Sequence, residues 1–255
     1  MNKNKAFSLV ELSIVIIIIG LLFTGVAGGS KLIQQAKLKK LILDIENYKT
    51  SVNIFKLSYD ALPGDFDRAS NYWNTINGNN DGYVNYIENS ISSGKNEASV
   101  ANQHLALAEL IDGSFGDGQN MAANNIGLET AFNGQILLSS WTIPGSTYLQ
   151  GATQWNIHHL VSTSKVAIHV GKPYNGNYTH AILPIISTED AFNIDTKYDD
   201  GLPKSGKISG GNDVAFQTVN SGNCLNATSP QTTEKPIYDM TDMKTIQCNI
   251  NFNLD

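Results

Sequence analysis

Four groups of residues carry chemistry by type and spacing. Glu11 stands inside an otherwise apolar run spanning residues 7–29. A carboxylate there costs on the order of 2.5–3.5 kcal/mol at a helix centre and somewhat less near an end, so it requires a partner. The second group is Asn77-Gly-Asn79-Asn-Asp81-Gly82-Tyr83-Val84-Asn85-Tyr-Ile-Glu88, which puts oxygen donors at positions 1, 3, 5, 9 and 12 of a twelve-residue loop. Gly82 holds position 6 and the Tyr83 carbonyl position 7. Calcium takes about six to eight oxygens, and the spacing predicts a calcium loop with ligands Asn77, Asn79, Asp81, Tyr83, Asn85 and Glu88. Asparagine at the first position leaves Asp81 and Glu88 as the charged donors and sets a modest affinity. The competing reading is an Asn/Gly turn ending in a solvated Glu88.

The third group, Asp195, Asp199 and Asp200, suits helix capping and chain turning better than a second ion. Cys224 and Cys248 form the fourth and are the only cysteines. In an exported chain they predict one disulfide, worth roughly 3.5 kcal/mol by loop-closure entropy. Other patterns fail on inspection. The stretch from Gly201 to Ile208 lacks the Ser or Thr that a phosphate-binding loop needs for magnesium. His158, His159, His169 and His180 match no metal-ligand spacing and read as surface or sheet-packing histidines. No HExxH, G-x-S-x-G or C-x-x-C occurs, and nothing reads as an enzyme.

The elements that must position these groups are legible from periodicity. Residues 7–29 are long enough to span a bilayer. Beyond them Leu38, Leu41, Ile45, Tyr48, Val52, Phe55 and Tyr59 recur at three- and four-residue steps, the face of an amphipathic helix packed on the protein's own head. Leu62-Pro63-Gly64 stops it, and a helix from Ser8 to Tyr59 would run about 78 Å. Gly28 and Gly29 offer a bend or a close-packing point. Further on, helices are predicted over 103–112 and 188–197, and strands over 135–143, 165–170, 178–186 and 245–252.

Charge is sorted along the chain. Residues 1–60 carry eight lysines against four acids, net +4, and residues 61–255 nine basic against nineteen acidic groups, net −10. A head so acidic is not expected to bind nucleic acid, which needs clustered Lys and Arg.

The run Lys5-Ala6-Phe7-Ser8-Leu9-Val10-Glu11, followed by the apolar span, resembles the prepilin cleavage and methylation motif of type IV pilins and type II secretion pseudopilins. Residues 60–66, Trp73, 77–82, 103–113 and 194–203 resemble a subgroup of large prepilin-type proteins. The resemblance implies a prepilin peptidase that cuts between Ala6 and Phe7 and methylates the new amine. It makes Glu11 the acid that pairs with the amine of a neighbouring subunit during assembly. Ala6 stands where that family usually has glycine. The implied fold is α+β and lollipop-like, a long transmembrane-plus-amphipathic helix packed on an antiparallel sheet. The implied divisions are a leader (1–6), a membrane segment (7–29), a stalk (30–60) and a periplasmic head (61–255). The implied partners are the peptidase, other pilin or pseudopilin subunits and the bacterial inner membrane, which a single pass anchors before entry into a fibre. A minor pilin whose large head binds a ligand or surface is the alternative.

Two plainer readings compete for the N-terminus. A secretory signal peptide would be cut after the small residues around Gly25-Val26-Ala27, but it would not hold Glu11 in its core or run on into a helix. A simple anchor would be oriented by its lysines. Lys31, Lys37, Lys39 and Lys40 outnumber Lys3 and Lys5 and favour the opposite topology.

Overall fold

A computed structural model describes residues 8–84, 97–116, 127–140, 166–173, 181–203, 205–211, 224–225 and 237–254. The chain divides into two compact units, Met1–Ile42 and Leu43–Asp255. Helix α1, Leu9–Tyr59, begins in the first and ends in the second.

From Leu9 to Gly29, within the first unit, α1 is apolar on all sides apart from Glu11, Ser13 and Thr24. Every described side chain from Ser8 to Gly25 is exposed, including Ile14, Ile16, Ile17, Leu21 and Phe23. A helix apolar all round belongs in lipid or a protein core, and this one is long and apolar enough to cross a membrane. The helix runs through Gly28 and Gly29 without a break.

In the second unit the amphipathic face of α1 is buried as its spacing predicts. Ile45, Tyr48, Val52 and Phe55 are each at most 1% exposed. The helix ends one residue before Asp60, whose left-handed φ of 53° and amide bond to the Lys56 carbonyl (2.9 Å) close the last turn. Short helix α2 (Ala69–Tyr72) follows, then α3 (Glu97–Leu107), which begins earlier and stops earlier than the predicted 103–112 helix. The left-handed Glu109 (φ 59°) turns the chain away there.

Helix α3 ties α1 to the sheet. The Tyr48 hydroxyl donates to Asn102 Oδ1, and Asn102 Nδ2 donates to the Ile136 carbonyl on β2 (3.0 Å). Ser51 Oγ, also on α1, donates to the Leu110 carbonyl (2.8 Å). The strands are β1 (Leu128–Glu129), β2 (Gln135–Ser139), β3 (Ala167–Pro173), β4 (Ala181–Leu183), β5 (Ile186–Ser187), β6 (Ile208–Gly211) and β7 (Ile246–Asn253), and helix α4 (Thr188–Tyr198) lies between β5 and β6. All described pairings are antiparallel, in the order β1-β2-β3-β7-β5, with β4 also on β3 and β6 also on β7.

One face of this sheet carries Ile136, Leu138, Ile168, Val170, Ile250 and Phe252, all buried. The other face of β7 carries Gln247, Asn249, Asn251 and Asn253, and these are buried too. Asn253 Nδ2 donates to the Gly206 carbonyl (2.9 Å), Gln247 Nε2 to Asp242 (3.2 Å), and Asn251 Oδ1 lies 2.8 Å from the His169 ring.

Phe55, 0% exposed, lies within a cluster of aromatic rings. It packs on Tyr59, Phe66, Trp73 and His104 at centroid distances of 4.6 to 6.3 Å. Truncating so buried a ring leaves a cavity that its neighbours cannot fill. Phe55→Ala is expected to destabilise the head by about 3–5 kcal/mol in chemical denaturation, against less than about 0.5 kcal/mol for the exposed Asn53→Ala.

Candidate functional site

Two candidate regions take shape from the residues upward, the start of α1 and the loop that α3 holds. At the start of α1 the Ser8 amide donates to Glu11 Oε2 (2.9 Å), and the Val10 amide donates to Ser8 Oγ (3.3 Å). Glu11 thus caps the Ser8 amide and Ser8 caps the Val10 amide, a variant of the capping box that satisfies backbone donors a helix end in lipid could not leave open. The S-x-x-E spacing signals this pairing directly, yet the apolar context drew attention to Glu11 alone. Ala6 and Phe7 lie outside the described residues.

The loop after α1 is folded around α3. Glu97 and His104, seven residues apart, stand on the same side of that helix. Glu97 Oε1 accepts from the Asn79 amide (2.9 Å). His104 Nδ1 accepts from the Gly64 amide (2.9 Å), and its Nε2 faces the Ile76 carbonyl at 3.0 Å. Those partners define a neutral imidazole that donates from Nε2, and burial lowers its pKa to about 4. The approach is close enough to require glycine. A Cβ on Gly64 would meet the Glu97 carbonyl, and one on Gly78 would meet the Asp65 backbone.

This fold brings Asp65, Asp81 and Glu97 together, with one oxygen of each within 4.8 Å of the others. Asp65 and Glu97 are 1% and 2% exposed. Asp65 accepts from the Asp81 and Gly82 amides (3.0 and 2.9 Å), yet burial, helped by the Asp81 charge, pushes its pKa up to about 6. Of the predicted ligands, Asn79 and Asp81 lie at this cluster, with Asn79 Nδ2 donating to Asp81 Oδ2 (3.1 Å). Tyr83 donates its amide to Asp81 Oδ1 (2.9 Å). Asn77 is turned away, its Oδ1 accepting from the Ser70 amide (2.7 Å). Asn85 and Glu88 lie outside the described residues. Asp65 and Glu97 were missed because sequence spacing reveals ligands along one loop, not across from a second segment.

The other acidic loop is filled by its own backbone. Asp195 Oδ1 accepts from the Gly201 amide (3.0 Å), Asp200 Oδ1 from the Leu202 amide (2.9 Å), and Asp199 Oδ2 from the amides of Lys207 and Ile208. Those last two amides belong to the stretch that imitates a phosphate loop, and a carboxylate takes them. Asp195 is fully buried and also accepts from the Tyr238 hydroxyl (2.8 Å). Burial pushes its pKa up to about 6 against the opposing effect of that hydrogen bond. Tyr238 is held in turn by a bridge to Leu225, beside the Cys224–Cys248 disulfide. The disulfide joins Cys224 to β7, where Cys248 pairs with Ile186. His169 is a buried sheet residue, its ring between Asn251 Oδ1 and the Ser139 carbonyl, with its pKa lowered to about 4 by burial. The other three histidines of the four weighed for zinc, His158, His159 and His180, lie outside the described residues.

Residues 1–27 match the family model described as the prokaryotic N-terminal methylation motif, which is the prepilin-type signature. That motif is the N-terminal signature found in pilin- and pseudopilin-type proteins, and with the apolar first half of α1 it fits membrane anchoring. No curated protein and no solved structure matches the chain.

The shifted groups give opposite pH dependences. The folded head keeps a proton on Asp195 that the unfolded chain has lost, so stability falls as pH rises from about 3.8 to about 6. Asp195→Asn removes that loss. Its stability relative to the parent should rise across this window, at most on the order of 1.4 kcal/mol per pH unit, and level off above it. His169 acts the other way: the unfolded chain gains its proton first, so stability falls as pH drops from about 6.5 to about 4. Urea unfolding of parent and variant at several pH values checks both signs.

Proposed function

We propose that this chain is a structural subunit of a type IV pilus or a type II secretion pseudopilus. A prepilin peptidase cuts between Ala6 and Phe7 and methylates the new amine. The chain then waits in the bacterial inner membrane as a single-pass protein with its head in the periplasm, and enters a helical fibre through its N-terminal helix. Glu11 pairs there with the amine of a neighbouring copy or related subunit, because two charges too costly to leave alone in lipid neutralise each other. One observation carries this reading: the methylation motif over residues 1–27 takes in most of the apolar span 7–29, whose lone acid is Glu11. The capping box supports it, since it already turns that carboxylate toward Ser8, next to the proposed amine-bearing residue.

Mass spectrometry of membrane-extracted protein is expected to find a chain that starts at N-methylated Phe7. A start near Gly28, or an uncleaved Met1, would sink the reading. Glu11→Ala is expected to insert normally and to be missing from sheared fibres. Full incorporation of that variant would remove Glu11 from assembly.

The same reading includes a calcium ion of modest affinity that braces the head. Support comes from the oxygen donors gathered from Asp65, Asp81, Glu97 and Asn79, two of them buried carboxylates. Calcium is expected to raise the Tm of the parent, more at pH 7.5 than at pH 5, where Asp65 holds its proton. The combined change Asp65→Asn with Glu97→Gln is expected to abolish the rise. An identical Tm with calcium and with chelator would exclude the ion.

A further inference from the structure

Charged residues are few in this chain, and they are sorted. Residues 31–40 of α1 hold Lys31, Lys37, Lys39 and Lys40 and no acid. Leu32 and Ile33, between them, are 67% and 61% exposed. A surface of opposite sign and like apolar character lies where α4 begins and β7 starts. The Glu189 amide donates to the Met243 carbonyl (3.0 Å), and Ser187 pairs with Ile246, which sets the N-terminus of α4 against the 239–246 turn. Among the described residues, that corner presents exposed carboxylates from Glu189 and Asp242 and a half-exposed one from Asp239, against the cation of Lys244. Met240 and Ile246, 42% and 57% exposed, add apolar area. Asp239 accepts from Thr241, and Asp242 from Thr245 and Gln247, neutral donors that orient the carboxylates without cancelling them.

We propose that this acidic and apolar corner docks the basic 31–40 segment of a second copy of the chain. The proposal rests on the fibre-subunit reading and names a surface that holds copies together outside the membrane. Charge complementarity argues for it. Heads at net −10 repel heads, and stalks (30–60), with six lysines against three acids, net +3, repel stalks, so stalk-to-head contact is the attractive combination. Such a contact joins two unlike surfaces and leaves one of each free on every pair, which is the condition for open helical growth. Other acids suit it less. Asp60 and Asp67 are offset by Lys56 and Arg68 nearby, and Asp195 and Asp199 are taken up by backbone amides of their own loop.

Charge reversal in the full membrane-expressed chain tests this. Lys37→Glu with Lys39→Glu, and separately Glu189→Lys with Asp242→Lys, are each expected to lower the fibre-associated fraction roughly three- to tenfold. Both pairs in one chain are expected to restore it. A photo-crosslinking amino acid at Met240 gives a readout that needs no charge change, with expected crosslinks to the 31–40 peptide of another copy. An oxidised disulfide in each recovered variant reports a folded head, and if a reversal fails to fold, the crosslink decides. Fibre unchanged by either reversal, no restoration on combining them, or crosslinks to another protein would each overturn the docking. Glu11→Ala keeps the two ideas apart. If it abolishes fibres while the reversals do nothing, the docking alone is wrong; if it assembles normally, the subunit reading is wrong.

Discussion

The head is organised by the burial of one face of a helix that cannot be solvated by water over its first half. Ile45, Tyr48, Val52 and Phe55 give the second half of α1 a surface that must be covered. Helix α3 and the aromatic residues that follow α1 meet that surface. Asn102 on α3 spans the gap, receiving the Tyr48 hydroxyl and donating to the backbone of β2. Buried polar groups are costly unless paired, so this relay fixes how α3 stands against both neighbours more sharply than apolar contact would.

The same helix α3 then shapes the acidic loop. With Phe55 stacked on His104, and His104 bonded to both Gly64 and Ile76, the chain after α1 is pulled into a compact turn. Only that turn brings Asp65 to Asp81 and Glu97. The 195–208 loop gathers its three acids in a comparable way. There each carboxylate accepts backbone amides of the loop itself, and Tyr238 locks Asp195 from the segment that the disulfide holds. In both clusters backbone N–H groups take part of the carboxylate lone pairs, and the 195–208 loop adds the Tyr238 hydroxyl on Asp195.

Two departures from pattern have physical causes. The predicted 103–112 helix is displaced to Glu97–Leu107 because the apolar residues that suggested it, Leu110 and Ile111, follow the left-handed turn at Glu109. Alternation along 245–252 marked a strand, a pattern that ordinarily accompanies a polar face open to water. That face is buried, and its asparagines bond to groups distant in sequence, such as Gly206 and His169.

By itself the sequence determined what depends on neighbours along the chain. The methylation motif, the apolar span with Glu11, the amphipathic stripe of the stalk, the cysteine pair and the strand-forming runs all lie within short windows, where periodicity and residue type carry the physics. Tertiary structure alone decided what depends on separate segments meeting. It placed Asp65 and Glu97 beside Asp81, turned Asn77 toward Ser70, and buried both faces of β7. It also set the acidic corner of Glu189 and Asp242 beside Met240 and Ile246. The reason is that ligation, burial and docking surfaces are properties of distance in space, and a linear pattern holds no record of distance between residues that only folding brings together.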